Sequence, residues 1–152
     1  MNWEMIGAIS EAAGVLAVVA TLVYLARNIK QNSKSLEIAA LGDITAQWNF
    51  WSSMLANSKD LAQVVVKGNW SYSSLSDPEK LRYGAYVQSF FDIVESNRTL
   101  VVNHETEKDI KVLESILRSR MEIPGFASWW KENTSDYGEE FKSWVDAFSN
   151  DT

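Results

Sequence analysis

The feature that most constrains this chain is an apolar stretch near its start, over residues 5–26. These 22 residues contain one charged side chain, Glu11, and as a helix they rise about 33 Å, enough to cross a hydrocarbon layer of about 30 Å. A signal peptide needs a basic leader and a small-residue cleavage site, whereas this stretch is preceded by Glu4 and followed by Arg27. A buried helix of a soluble core is the other alternative, but such helices seldom run this far without a polar face. We therefore predict a transmembrane helix with a short N-terminal leader over residues 1–27.

Basic residues flank this stretch on one side only. Arg27, Lys30 and Lys34 follow it immediately, while the leader before it has no Lys or Arg. Membrane proteins keep such residues on the cytoplasmic side. We therefore predict that the N-terminus lies outside and that residues 28–152 form a helical cytosolic domain.

Small residues recur along one side of the predicted span. Their alternating steps of three and four positions place them on one helix face: Gly7, Ser10, Gly14, Ala17 and Thr21. In a membrane such a face lets a second helix approach closely, although small residues are also common in spans for no such reason. We predict that this small-residue face packs against another helix.

Glu11 is an intramembrane carboxylate in this interpretation. It lies about 80° around the helix from the small-residue face, at 100° per residue. Charged groups inside a membrane are costly and often functional. Two hypotheses stay open, a carboxylate that carries protons or contacts a cation, and a protonated or interhelical hydrogen-bonded group that only holds the assembly together. The second hypothesis is favoured.

The rest of the chain has the composition of a helical protein, with seven Gly and two Pro in 152 residues. A helix break is predicted near Asn57, and a helix stop at Gly68. The segment "SLSDPEKL" predicts a helix start, with Ser76 or Asp77 as the cap and Pro78 at the first helical position.

Two short helices are predicted near the C-terminus, one after Pro124 and one after Ser135 or Asp136. With the apolar stretch, these elements predict an all-α fold. In this fold one N-terminal transmembrane helix continues into a small helical bundle.

The sequence offers little for catalysis or metal binding. There are no cysteines, so disulfides and thiol chemistry are excluded. His104 is the single histidine, and the Glu-x-x-His pairs with which helical bundles hold two iron ions are missing. The net charge of −6 argues against nucleic acid as a partner. We expect a protein that is not an enzyme and has no catalytic residues, metal site or cofactor.

Two groups in the predicted bundle invite a functional hypothesis. Arg98 lies on an apolar helix face, and a buried Arg needs a carboxylate. Glu95, one turn before Arg98, is predicted to form a structural ion pair with it. The C-terminal region is also rich in aromatic residues, which either cap the bundle or form a ligand pocket or docking surface: Trp129, Trp130, Tyr137, Phe141 and Trp144.

The chain carries four characteristic segments: "W-x-x-IGAI", "G-x-LAVV-x-TLVYLA-x-x-I-x-QN", "P-G-F-x-x-WW" and "Y-x-x-x-F-x-x-WVD". In these segments it resembles a family of uncharacterised bacterial proteins of about this size. The resemblance covers both ends of the chain and is most specific over residues 24–32. It implies a bacterial protein with a single N-terminal membrane helix and a helical cytosolic region, and it implies no particular activity.

Together these features lead us to expect a single-pass protein of the bacterial inner membrane. Its partners would be the lipid bilayer and either further copies of itself, in a homo-oligomer, or a larger membrane complex that it serves as an accessory subunit. The alternative is a membrane-anchored sensor that binds a lipid or small ligand through its C-terminal aromatic region.

Overall fold

The computed structural model describes the backbone of residues 3–103 and 107–149, and the side chains of residues 7, 11, 13–100 and 109–148. The predicted all-α fold is confirmed, since this part of the chain contains α-helices and short 3₁₀ turns but no strand. The helices are α1 (Trp3–Asn57), α2 (Lys59–Trp70), α3 (Asp77–Asn103), α4 (Glu107–Met121), α5 (Pro124–Glu132) and α6 (Glu139–Ser149).

The chain divides into two compact units, residues 1–43 and residues 44–152. Within the described residues, α1 is the one helix long and apolar enough to cross a membrane, over Ala13–Asn57. The boundary that we predict after residue 27, at the end of the membrane span, stays a prediction.

The predicted break after α1 is confirmed, because α1 ends at Asn57 and Ser58 caps the next helix. The Ser58 hydroxyl accepts a hydrogen bond from the Leu61 backbone N–H at 3.2 Å. The predicted stop at Gly68 is wrong, since α2 continues to Trp70. Gly68 is buried, and a methyl group there would lie 2.6 Å from Cε2 of the Tyr83 ring, with Cδ2 closer still. This glycine therefore serves close packing between two helices rather than helix termination.

The predicted start of the central helix is also confirmed. α3 begins at Asp77, with Pro78 one position later than predicted. The Glu79 carboxylate accepts hydrogen bonds from the backbone N–H and the hydroxyl of Ser76, both at 2.8 Å. This is the carboxylate half of a capping box, in which the side chain of the third helical residue accepts from the backbone N–H of the capping residue, so Ser76 is the capping residue.

Helix α3 supplies the largest share of the core of the second unit. Its fully buried residues include Tyr83, Val87, Phe90, Phe91 and Val94. The C-terminal end of α1, together with α2, α4, α5 and α6, adds further apolar side chains to the same core. The helix predicted after Pro124 is α5, whereas α6 begins at Glu139, two or three residues later than predicted, after a 3₁₀ turn over Thr134–Asp136.

Candidate functional site

The small-residue face of α1 is open in this structure. A methyl group added at Gly7 or Gly14 would have no atom within 4 Å. The Thr21 hydroxyl donates a hydrogen bond to the Ala17 carbonyl at 2.8 Å, so this polar group is satisfied within its own helix. The side chain of Ser10 lies outside the described residues. Packing of this face against another helix stays a prediction.

The charged side chains of α1 that the structure describes are all exposed. Glu11 lies within the apolar stretch, and Arg27, Lys30 and Lys34 follow that stretch along the helix. Whether Glu11 is functional or only holds an assembly together stays open between the two hypotheses.

The C-terminal aromatic residues belong mainly to the core. Trp130 packs on Phe91 with ring centroids 4.5 Å apart and on Tyr137 at 5.1 Å. Phe141 continues the row and contacts the half-buried Trp144 at 5.8 Å. The Trp130 indole N–H donates to Asp146 Oδ1 at 2.8 Å. A binding role for these residues stays a prediction, but Trp130, Tyr137 and Phe141 fill interior space.

Trp129 differs from the other buried tryptophans. Its side chain is only 4 % exposed, yet within the described residues its indole N–H makes no hydrogen bond, whereas Trp51 donates to the Tyr86 carbonyl at 3.0 Å. The N–H edge of Trp129 lines an open groove of about 400 Å³. It faces Gly84, where a methyl group would lie 3.1 Å from Nε1.

The walls of this groove combine charged, amide and apolar groups. Lys80 lies on one side, with its ammonium 5.4 Å from the centre of the Tyr72 ring. Leu81 is 77 % exposed at the rim. Asn133 also lines the groove and donates its amide N–H to the Trp129 carbonyl at 2.8 Å, which leaves its side-chain oxygen as an acceptor. The volume of this groove lies within the range of small-molecule sites, and the groove is open to solvent.

The predicted ion pair between Glu95 and Arg98 is wrong, because Arg98 pairs with a different carboxylate. Arg98 Nη2 contacts Glu140 Oε1 on α6 at 2.8 Å, and its guanidinium lies 5.2 Å from the centre of the Trp144 ring. The Arg98 side chain is 22 % exposed rather than buried. The long side chain reaches across to α6 because the aromatic face there also attracts the cation. Glu95 instead lies near Tyr137 and helps to raise the pKa of that phenol.

Burial makes the interior tyrosines poor acids. It raises the pKa of Tyr86 to about 12 and also raises the pKa of Tyr83, whose hydroxyl donates to Asn69 Oδ1 at 2.9 Å. Burial again raises the pKa of Tyr137, and the nearby Asp92 carboxylate raises it further. These phenols stay protonated near neutral pH, and the hydroxyls of Tyr83 and Tyr137 donate hydrogen bonds to Asn69 and Asp92.

The described residues contain no group of three or more His, Asp and Glu side chains able to hold a metal ion. His104 lies outside the described residues. The most specific feature that the sequence analysis missed is the pairing of Gly84 with Trp129. The sequence signal for it was weak, because a single helical glycine does not reveal which side chain faces it.

Comparison of the chain with protein-family models, with curated proteins and with solved structures finds no match. The resemblance to a family of bacterial single-span proteins therefore stays a prediction.

Proposed function

We propose that this chain is a non-enzymatic single-pass membrane protein that acts by self-association or as an accessory subunit of a membrane complex. The observation that carries the proposal is the exposure of the apolar part of α1. Seven Val and Leu side chains between residues 15 and 25 are each 48–70 % exposed. Burying a fully exposed Val or Leu side chain contributes about 1.5–3 kcal/mol. Because these seven are on average a little over half exposed, covering them stabilises the chain by roughly 6–12 kcal/mol. This is as large as the whole stability of a typical domain, about 5–15 kcal/mol, and a bilayer provides that cover.

The proposed location is the bacterial inner membrane, with the N-terminus outside and the helical domain in the cytoplasm. The basic side chains of Arg27, Lys30 and Lys34 support this orientation. Because the chain has no cysteine, single cysteines can report topology. In intact cells an impermeant maleimide should label Asn2→Cys, and it should label Asn150→Cys only after permeabilisation. Labelling at residue 150 in intact cells would overturn the orientation.

Self-association is proposed to use the small-residue face. Gly14→Leu adds a bulky side chain where two backbones would approach, so we expect a loss of oligomer in mild detergent. Val23→Leu is the matched control, because residue 23 lies about 160° around the helix from the small-residue face. Light scattering during size-exclusion chromatography measures both variants. An oligomer unchanged by Gly14→Leu would count against this face, and a monomeric wild-type protein would count against self-association altogether.

A second candidate function, a membrane-anchored sensor for a small ligand, is favoured by the groove at Trp129. A ligand acceptor atom there would pair with the free indole N–H, and Lys80 and Asn133 offer further polar contacts. The test follows the Trp129 indole resonance by NMR, assigned with Trp129→Phe, while lipid and metabolite extracts are added. A shift of this resonance without shifts of the Trp51 and Trp130 resonances would support the sensor. No shift with any extract would remove it.

A further inference from the structure

Beyond the apolar stretch, α1 carries a second regular pattern with a seven-residue period. Large aliphatic residues recur at Leu22, Ile29 and Leu36, and the positions three residues after each are Leu25, Asn32 and Ala39. We call these six residues the heptad seam. Val15 and Val18 extend the same period toward the N-terminus, for a total of more than three heptads. Leu22, Leu25, Ile29 and Leu36 are 48–72 % exposed.

The charges of this segment lie away from the heptad seam. At 100° per residue, Arg27 and Lys34 lie about 170° around the helix from the centre of the seam, Lys30 about 130° and the acidic Glu37 about 110°. The positions that flank the seam carry small or uncharged side chains: Ala26, Asn28, Ser33, Ser35 and Ala40. Two identical helices can therefore meet along this seam without bringing like charges together.

We propose that residues 22–39 form a parallel, in-register coiled coil with a second copy of this chain. This inference rests on the proposed membrane anchoring, which gives both copies the same direction. Lipid does not cover the far end of the seam, because α1 is unbroken beyond the span and Leu36 lies about 15 Å further along the axis than Ala26. An acidic partner would bind the opposite, basic side of the helix. A second copy, which presents the same uncharged seam, fits the pattern best.

Asn32 gives this coiled coil a defined alignment. In a parallel dimer the two Asn32 side chains face each other, and their amides can hydrogen-bond across the seam. A single polar residue in an otherwise apolar seam specifies register and the number of strands. Anchoring in one membrane also raises the effective concentration of the two helices, which supports a seam of this length.

The heptad seam is distinct from the small-residue face. Thr21 and Leu22 are adjacent in sequence, as are Gly14 and Val15, and at 100° per residue the centres of the two faces lie about 50° apart around α1. Experiments can therefore separate a dimer that uses the seam from one that uses only the small-residue face.

The test is disulfide cross-linking of single-cysteine variants in native membranes, since the chain has no cysteine of its own. Ile29→Cys and Leu36→Cys probe the seam, and Arg27→Cys and Lys34→Cys are matched controls on the opposite side. A disulfide requires Cα atoms about 4.4–6.8 Å apart. We expect the two seam variants to form covalent dimers at least tenfold more than the two controls.

Gly14→Cys in the same experiment separates the two proposals. Cross-linking at Gly14 but not at residues 29 and 36 would overturn the coiled coil and leave self-association standing. Equal cross-linking at all positions would indicate random collision and would overturn the coiled coil as well. As a second readout, Leu36→Asp should reduce the dimer fraction in detergent at least tenfold relative to Lys34→Asp. Equal dimer fractions in these two variants would refute the inference.

Discussion

Two helices of the second unit come into very close contact at Gly68 of α2 and Gly125 of α5, and this contact leads to a strong prediction. A methyl group added at Gly125 would lie 2.5 Å from the Tyr83 hydroxyl oxygen and 2.7 Å from the Gly68 carbonyl carbon, with the Gly68 carbonyl oxygen closer still. Backbone atoms cannot rotate away as a flexible side chain can. Gly125→Ala therefore requires α2 and α5 to separate.

The expected cost is about 3 kcal/mol, at the upper end of the range for overpacking a core. A separation of 0.5–1 Å also forfeits roughly a quarter to a half of the dispersion energy of each affected contact. At about 4 °C or more per kcal/mol for a domain of this size, Tm should fall by roughly 12 °C or more.

The measurement is thermal unfolding of the full chain in mild detergent, followed by near-ultraviolet circular dichroism, which reports the packing of the aromatic core. Gly138→Ala is the matched control, because a methyl group there meets no atom within 4 Å. We expect this control to change stability by less than about 0.5 kcal/mol, as surface substitutions usually do. If both variants unfold at the same temperature, the close approach of α2 and α5 is not as described.

Three further predictions concern ionisable groups. Hydrogen bonds from Lys67 and Ser76 lower the pKa of Glu79 to about 2. The stability advantage of wild type over Glu79→Gln should therefore be present above pH 4.5 and decline toward pH 2 in acid titrations. An advantage that does not change with pH would refute this prediction. Burial and Asp92 raise the pKa of Tyr137, so the stability advantage of wild type over Tyr137→Phe should shrink as the pH rises above 10. Urea unfolding at pH 8 and 11 measures this advantage, and an equal advantage at both pH values would refute the prediction. Glu11→Gln should keep both the assembly and the cellular phenotype, because the amide still hydrogen-bonds between helices; a phenotype equal to deletion, with protein level and oligomer size unchanged, would favour a functional carboxylate.

Local features of the sequence determined the secondary structure well. Pro78 and the candidate cap at Ser76 or Asp77 predict the start of α3, and Pro124 predicts the start of α5, because these signals act on backbone groups within one helical turn. The apolar stretch likewise predicts a long helix. These predictions succeeded because the partners of each group are only a few residues away.

Contacts between helices were decided by the tertiary structure alone. Gly68 resembles a helix stop in the sequence, but it faces Tyr83 and allows α5 to approach. Arg98 has a carboxylate one turn away in Glu95, yet it reaches Glu140, 42 positions along the chain.

The adjacent residues Trp129 and Trp130 show the same limit. Trp130 is satisfied by Asp146 within the core, while the N–H of Trp129 opens onto a groove beside Gly84. Identical neighbours in the sequence project about 100° apart on a helix. What each side chain contacts therefore depends on which other helices pack there, and the chain determines that only when the whole bundle has assembled.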